Sequence, residues 1–227
     1  MNIFLSLGHS ILKNGNITSA NGVVNEYKYN KELITHVRDY LVRAGHKVTL
    51  CMCPEKQFTS SSQERTYKIP MENGGKYDLA VELHLNAFNG NAKGTEVYYY
   101  DDDKGKKCAE RVVAKLATVF SNRGAKKRTD LYFLNSTKAP AILIESFFCD
   151  NADDCAKGND KKRIAKLIAE GIHGEAIAEE SAQAAAPAAS GTLYRVQVGA
   201  YSVKANAEAM LAKLKKAGFD GFITSSK

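Results

Sequence analysis

The sequence predicts an α/β fold, with a twisted, mostly parallel sheet, helices on both faces and a short C-terminal βαβ appendage. Apolar, strand-like runs alternate with segments whose apolar residues recur at helical spacing, which is typical of doubly wound sheets. Three of these runs, at residues 3–7, 81–85 and 141–145, end at or next to a histidine or an acid. Ligands of open α/β sheets bind outside the carboxyl ends of the strands, so the repetition predicts a functional site along that edge.

Apolar runs rich in β-favouring residues predict the strands. They span Asn2–Leu7, Lys47–Cys51, Asp78–Leu85, Gly94–Tyr100, Leu131–Leu134 and Ala141–Glu145. Pro140 stands just before the last of these, where a strand tolerates proline. The basic segment from Gly124 to Asp130 is predicted to be a loop.

Apolar residues at helical spacing predict three long helices. Their core faces are Leu33, Ile34, Val37, Tyr40 and Leu41; Cys108, Val112, Leu116 and Val119; and Ile164, Leu167, Ile168, Gly171 and Ile172. Asn25 is a suitable N-cap for the first helix, and Gly45 a suitable residue just beyond its end. A Ser61-x-x-Glu64 pattern predicts a capping box for a shorter helix that ends near Gly74.

The composition changes near residue 179, which predicts three parts: a main domain (1–178), an Ala-rich linker (179–191) and a C-terminal segment (192–227). In the last part, Tyr194–Val198 alternates like a strand, Ala205–Ala217 has helical spacing, and Gly221–Thr224 begins a further strand. One βαβ unit of this size is too small to bury a stable core alone.

Charge and hydropathy restrict the class of partner. The chain has a formal charge of +7, of which residues 192–227 carry +4, and this favours a polyanion. No basic helix or aromatic platform predicts nucleic-acid binding, whereas phosphate-bearing wall polymers fit the charge. No apolar run predicts membrane insertion, and no signal-type segment follows Met1, so synthesis in the cytoplasm without a signal peptide is expected.

The five cysteines (Cys51, Cys53, Cys108, Cys149 and Cys155) are odd in number and lack the paired spacing of a zinc knuckle. They are expected to be reduced thiols that pack as small apolar side chains. A metal site at Cys51-x-Cys53 is the less favoured alternative, because two thiolates do not complete a zinc shell.

Two histidines and two glutamates are the candidates for chemistry. His9, Glu26 and His84 offer the three protein ligands that a catalytic zinc uses, and Glu145 offers a proton acceptor. His9 and His84 each follow a buried strand, where an imidazole needs a partner. Structural roles stay open on the residues alone, since Glu26 lies in a first helical turn, where an acid complements the dipole.

The blocks Gly8-His9, Glu26, His84–Ala87 and Pro140–Glu145 resemble, in order and spacing, the zinc-dependent N-acetylmuramoyl-L-alanine amidases of the amidase-3 type. The resemblance covers residues 1 to about 176 and is greatest to endolysins of phages that infect Gram-positive bacteria. It implies that His9, Glu26 and His84 hold Zn²⁺ and that Glu145 is the general base. Asn86 is the expected substrate-binding residue.

One position departs from the pattern of that family. Many members carry Ser two residues before the second histidine, where this chain has Glu82. By strand alternation Glu82 shares a face with His84, so it either orients that imidazole or pairs with another group. The sequence leaves both open.

The C-terminal segment resembles a second family. Residues 194–202 and 205–209 are similar to the opening of a SPOR-type peptidoglycan-binding domain and cover about half of one. The resemblance implies that residues 192–227 bind the cell wall, either alone or after self-association of two such half-domains.

Together the resemblances imply hydrolysis of the amide between N-acetylmuramic acid and L-alanine in the peptidoglycan of Gram-positive walls. The enzyme would reach the wall after release, through a holin pore for a phage endolysin or by mother-cell lysis for a sporulation autolysin. Two alternatives remain: a non-catalytic wall-binding or regulatory protein on an amidase fold, and a zinc carboxypeptidase that acts within the stem peptide.

Overall fold

A computed structural model describes residues 1–178, 198–216, 219 and 221–224. The strands are β1 (Asn2–Leu7), β2 (Lys47–Cys51), β3 (Leu79–Asn86), β4 (Thr95–Tyr99), β5 (Asn122–Lys127) and β6 (Ala141–Phe148). The helices are α1 (Glu26–Arg43), α2 (Ser61–Asn73), α3 (Asp103–Leu116), α4 (Tyr132–Ser136), α5 (Ala152–Lys157), α6 (Lys161–His173) and α7 (Lys204–Lys216). No helix within these ranges is both long and apolar enough to cross a membrane. The chain divides into two compact units, residues 1–179 and 180–227.

The first unit is built on one six-stranded sheet with the order β2-β1-β3-β6-β4-β5. Strands β2, β1, β3 and β6 run parallel to one another, and β4 pairs in parallel with β5. Only the β4–β6 pairing is antiparallel in this sheet. The predicted α/β fold with a mostly parallel sheet is confirmed.

Side-chain alternation along the strands creates a core on each face of the sheet. Leu5 of β1 and Ile144 of β6 belong to the larger core, which α1, α3 and α6 cover. Phe4 and Leu143, one position away on the same strands, pack with residues of α2 and α4. Helices therefore lie on both faces, as predicted.

The start of α1 is set by the cap that the sequence predicted. The Asn25 side chain accepts a hydrogen bond from the Lys28 backbone N–H, and Gly45 follows the helix end with a φ of 81°. Glu26 is therefore the first residue of α1, and it is 2% exposed. The cap brings this carboxylate to the carboxyl edge of the sheet.

The predicted loop from Gly124 to Asp130 is wrong, because its first half belongs to β5. This strand lies at the edge of the sheet and pairs with β4 alone. Lysines are a common means of protecting an edge strand from further pairing. The charge pattern that indicated a loop is thus the pattern of an edge strand.

The predicted strand Leu131–Leu134 is also wrong, since the segment leads into helix α4. The Asn135 backbone N–H donates to the Leu131 carbonyl at 3.1 Å, which closes a helical turn. Phe133 and Leu134 are both buried in the same core. Consecutive residues of a strand would point to opposite faces, so only the helical turn allows this.

The predicted capping box at Ser61-x-x-Glu64 is wrong. The N-cap of α2 is Ser60, whose side chain makes no capping hydrogen bond, and the Gln63 side chain accepts a hydrogen bond from the Thr59 backbone N–H at 2.8 Å. Glu64 is buried instead of exposed at the helix start. Its carboxylate accepts hydrogen bonds from side chains inside the protein rather than from the start of the helix.

All five cysteines are buried free thiols. Burial raises the pKa of Cys51 to about 11 and that of Cys108 to about 11. The expectation that they pack as small apolar side chains is confirmed.

In the second unit, α7 confirms the helix predicted for Ala205–Ala217. Residues 221–224 carry no strand, and the strand predicted at Tyr194–Val198 lies outside the described residues except for Val198. No residue of α7 is buried, and the apolar side chains of Val203, Phe219 and Phe222 are exposed.

Candidate active site

Three predicted ligand residues meet at the carboxyl edge of the sheet. His9 follows β1, Glu26 opens α1 and His84 lies near the end of β3. One potential ligand atom from each lies within 4.8 Å of the other two. Glu26 Oε1 is 3.3 Å from His9 Nε2 and 3.0 Å from His84 Nδ1. Residues far apart in the chain thus form a compact set of nitrogen and oxygen donors.

The turn after β1 is shaped to place the two imidazoles against each other. A Cβ atom on Gly8 would lie 2.4 Å from the His84 ring, so only glycine permits this approach. His9 adopts a φ of 64°, which is uncommon for a residue with a side chain. The two rings meet edge to face with their centroids 4.9 Å apart. Backbone strain of this kind concentrates at functional sites.

Glu26 is held as a carboxylate by its surroundings. Burial alone would raise the pKa of Glu26, but hydrogen bonds from His84 and His9 lower it well below its usual range. Backbone N–H groups complete the set, with Ala20 donating to Oε2 and Leu85 donating to Oε1, each at 3.0 Å. The anion is therefore available as a ligand.

His84 lies between two acids. Its Nδ1 is 3.0 Å from Glu26 Oε1, and its Nε2 is 3.2 Å from Glu82 Oε2. Burial alone would lower the pKa of His84, but the two carboxylates raise it to about 10. The ring is thus fixed at both nitrogens and stays protonated at neutral pH.

Glu82 makes both of the contacts that the sequence left open. Besides His84, it binds the ammonium group of Lys68, with Nζ 2.8 Å from Oε1. Lys68 also donates to the Leu7 carbonyl at 2.5 Å, and the Ser6 hydroxyl donates to Glu82 Oε1 at 3.2 Å. Burial alone would lower the pKa of Lys68, yet the Glu82 charge raises it. His84 Nε2 is therefore in contact with a buried ion pair, formed by Glu82 and Lys68.

Sequence reasoning missed Lys68 because its spacing indicates a surface role. Glu64, Lys68 and Glu72 are four residues apart on α2, a pattern typical of exposed helical ion pairs. All three are buried. Glu64 accepts hydrogen bonds from the hydroxyls of Ser10 (2.7 Å) and Thr18 (2.8 Å). One signal was available in the sequence. A short helix that packs on a sheet must bury one face, so charged residues that recur along one face can be buried.

Glu145 is the neighbour of His84 in the pairing of β3 with β6. Its Oε2 atom is buried and has no hydrogen-bond partner among the described residues. Burial raises the pKa of Glu145 to about 7, with the charges of Glu26, Glu96 and Glu82 adding to the effect and His84 opposing it. The unpaired oxygen, the raised pKa and the place beside His84 together make Glu145 a candidate for proton transfer.

Asn86 lies at the same edge, but its side chain is already engaged. Its Nδ2 donates to Glu96 Oε1 at 2.6 Å, and its Oδ1 accepts from the Ala87 backbone N–H. Glu96, which the sequence analysis did not single out, also contacts Tyr98, Lys126 and Arg123. A substrate-binding role for Asn86 stays a prediction.

A mostly parallel sheet whose carboxyl edge gathers two histidines and two glutamates has the arrangement of a hydrolase with a candidate metal site. Comparison with known proteins defines the family. The family model described as N-acetylmuramoyl-L-alanine amidase matches residues 3–174, and a SPOR domain model matches residues 157–225. The chain belongs to the N-acetylmuramoyl-L-alanine amidase family, and its activity is the hydrolysis of peptidoglycan. The resemblance stated from the sequence is confirmed.

Individual relatives agree with this assignment. The catalytic domain of CD27L endolysin targeting Clostridia Difficile is 54% identical, with a TM-score of 0.77 over 78% of this chain and 99% of that one. The N-acetylmuramoyl-L-alanine amidase CwlM of Bacillus licheniformis is 29% identical over 97% of this chain and 83% of its own length. The endolysin of Bacillus phage SPP1 is 28% identical over 78% of this chain and 65% of its own length.

The buried pair behind His84 yields a stability prediction. Lys68→Met should destabilise the protein by about 3–5 kcal/mol, because it leaves the Glu82 charge buried without its counter-ion. The double variant Lys68→Met/Glu82→Gln should recover much of that loss. Lys31→Met, which breaks the exposed Lys31–Glu55 pair, should cost at most about 1 kcal/mol. Urea unfolding in the presence of a chelator measures all three, and equal losses for the two single variants would contradict the prediction.

Proposed function

We propose that the chain is a zinc-dependent amidase that cleaves the bond between the lactyl group of N-acetylmuramic acid and L-alanine of the stem peptide. The observation that carries the proposal is the meeting of His9, Glu26 and His84 beside Glu145. Two imidazoles and one carboxylate form a donor set that catalytic zinc uses, with a position left for water or substrate.

The groups around the two histidines also suit a zinc site. A ligand histidine usually has its second nitrogen held by another group. His84 Nε2 meets this requirement with Glu82, and His9 Nδ1 is 3.4 Å from the Thr18 hydroxyl. His9, Glu26 and His84 would therefore hold the ion in fixed orientations. Bound zinc would polarise the scissile carbonyl and make water more acidic.

Glu145 supplies the proton transfers. As a carboxylate it accepts a proton from the water that attacks the carbonyl carbon. The same group then donates that proton to the departing amine of L-alanine as the amide bond breaks. Its pKa of about 7 suits both directions, because a general acid–base works best near the working pH.

The proposal divides the chain into a catalytic domain (1–178), a linker (179–191) and a partial SPOR-like wall-binding segment (192–227). The SPOR match and the charge of +4 on the last segment support wall binding. Helix α6, although included in the SPOR match, packs against α1 and α3 in the first unit. Exposed apolar residues such as Phe219 and Phe222 support self-association of two such segments.

The natural substrate in this proposal is the peptidoglycan of Gram-positive walls, and the biological role is lysis by a phage endolysin. The 54% identity with an endolysin catalytic domain supports this role over that of a sporulation autolysin. The enzyme would act on the wall after its release from the cytoplasm.

Mass spectrometry of digested peptidoglycan tests the reaction. The zinc-loaded chain should release stem peptides with a free L-alanine amine and leave glycan strands without peptides. Shortened stem peptides still attached to the glycan would indicate a carboxypeptidase and overturn the proposal.

The Glu145→Gln variant should lower the rate of wall lysis by about 100-fold or more while zinc still binds.

The stability of the same variant should depend on pH. Folding raises the pKa of Glu145 from 4.5 to about 7, so its stabilising contribution is complete below pH 4.5 and is lost as the pH rises through about 7. Chelator-treated Glu145→Gln should therefore be more stable than the parent above pH 7, on the order of 1–3 kcal/mol. Glu110→Gln, an exposed substitution on α3, is the control for both measurements. If Glu145→Gln retained lysis, Glu145 could not be the general acid–base.

Zinc binding at pH 7 should release about one proton, because the ligand nitrogen of His84 is protonated in the protein without metal. Calorimetry in two buffers of different ionisation enthalpy measures the proton count. Affinity should fall as the pH is lowered. His84→Ala should abolish the binding of one ion per chain, whereas His36→Ala should preserve it; equal binding by both variants would refute the assigned ligands.

Deletion of residues 192–227 should leave zinc binding and cleavage of short soluble substrates intact, because the cores of the first unit lie within residues 1–178. Binding to purified walls should weaken, most clearly at low salt, since a charge of +4 is removed. Loss of zinc or of the folded state on deletion would contradict this division of the chain.

A further inference from the structure

A cavity of about 300 Å³ opens beside the candidate metal centre, between the sheet and helices α2 and α4. His84 and the buried side chains of Glu82 and Phe133 line its inner part. Arg65 and Tyr132 line its exposed end. The volume is at the lower limit for a ligand site and suits one or two amino-acid residues rather than a glycan strand.

Most charged groups in the cavity are already neutralised by neighbours. Lys68 binds Glu82, and Glu64 accepts hydrogen bonds from two hydroxyls. Arg65 differs: its guanidinium lies 5.4 Å from the centroid of the Tyr132 ring, and no carboxylate within the described ranges lies at ion-pair distance. Stacking on the ring holds the guanidinium in place, while its planar set of donors can still bind an anion.

The position of Arg65 relates it to the reacting bond. Lys68, three residues further along α2, is about 4.5 Å away along the helix axis and contacts the carboxylate behind His84. Leu143, which also lines the cavity, is two residues before Glu145 on the same face of β6. Two of the residues that line the cavity, His84 and Leu143, are thus the strand neighbours of Glu145. Glu145 would protonate the leaving amine, and that amine belongs to the peptide half of the substrate.

We infer that this cavity binds the stem peptide and that Arg65 pairs with the free carboxylate of the residue after L-alanine. The inference rests on the proposed function, because it assigns the peptide half of the substrate to a place beside Glu145. The second residue of a stem peptide is a glutamic acid whose α-carboxyl group is free in some walls and amidated in others. An extended residue spans about 3.5 Å, so this carboxyl group lies about that far beyond the alanine. The distance is similar to the rise of about 4.5 Å along α2 between Lys68 and Arg65. Arg65 is thus a specificity-determining residue for the free acid.

The test uses the full-length, zinc-loaded chain and two synthetic substrates, N-acetylmuramoyl-L-alanyl-D-glutamate and its D-isoglutamine counterpart, each with its γ-carboxyl group blocked as a methylamide so that the two differ only at the α-carboxyl group. The parent enzyme should prefer the free acid. Arg65→Gln should raise KM for the free acid about fivefold and leave kcat unchanged, as expected for loss of one exposed ion pair. KM for the amide should not change. Arg65→Lys should retain a preference for the acid, and Arg163→Gln, on α6 at the opposite face of the sheet, should behave as the parent.

The outcomes separate this inference from the proposed function. A parent enzyme that cleaves both substrates equally, or an Arg65→Gln variant that loses activity equally on both, overturns the role of Arg65 while the amidase function stands. A parent enzyme that cleaves neither substrate nor purified walls refutes the proposed function itself. Circular dichroism and zinc content, measured on every variant, must match the parent for the KM comparison to count in favour.

Discussion

The carboxylate of Glu26 is a full charge at a nearly inaccessible position, and the molecule depends on how that charge is compensated. An isolated buried carboxylate is strongly unfavourable, so it must be surrounded by donors. His9 and His84 approach one of its oxygens, and backbone N–H groups of Ala20 and Leu85 bind the two oxygens. These contacts join the turn after β1, the start of α1 and the end of β3. The interaction that fixes the fold at this edge is also the one that assembles the candidate ligands.

Environment assigns different roles to the glutamates around this point. Burial disfavours the charge on all of them, yet Glu26 and Glu82 have cationic partners that keep their pKa values low. Glu145 has no hydrogen bond to Oε2, and nearby negative charges reinforce burial, so its pKa is raised. Carboxyl groups whose pKa values are driven apart in one site commonly divide into an electrostatic and a proton-transfer role. Lys68 and the two imidazoles form hydrogen bonds or ion pairs with Glu26 and Glu82, whereas His84 acts on Glu145 only through its charge.

Sequence reasoning succeeded where apolar periodicity decides the structure and failed where charge placement does. The bounds of β1 and β2 and the cap of α1 follow from local patterns, and so do the positions of His9 after a strand and Glu26 at a helix start. The predicted end of the last strand at Glu145 is wrong, because β6 continues to Phe148. The basic residues of β5 hid an edge strand, because a charged strand and a charged loop look alike without knowledge of the sheet order. Lys68 was equally hidden, since i,i+4 spacing of opposite charges is usual at a surface. Its partner Glu82 lies on another element, and only the tertiary structure brings them together.

The pair formed by Lys68 and Glu82 explains how this chain accommodates its departure from the amidase pattern. A serine at position 82 can accept a hydrogen bond from a ligand histidine without bringing a charge into the core. A glutamate makes a stronger, charge-assisted contact with His84, but it needs a counter-ion in the same buried space. Lys68 supplies that charge from α2 and is itself held by the Leu7 carbonyl. The two positions are therefore energetically coupled, because either residue without the other would be a buried charge that lacks a counter-ion.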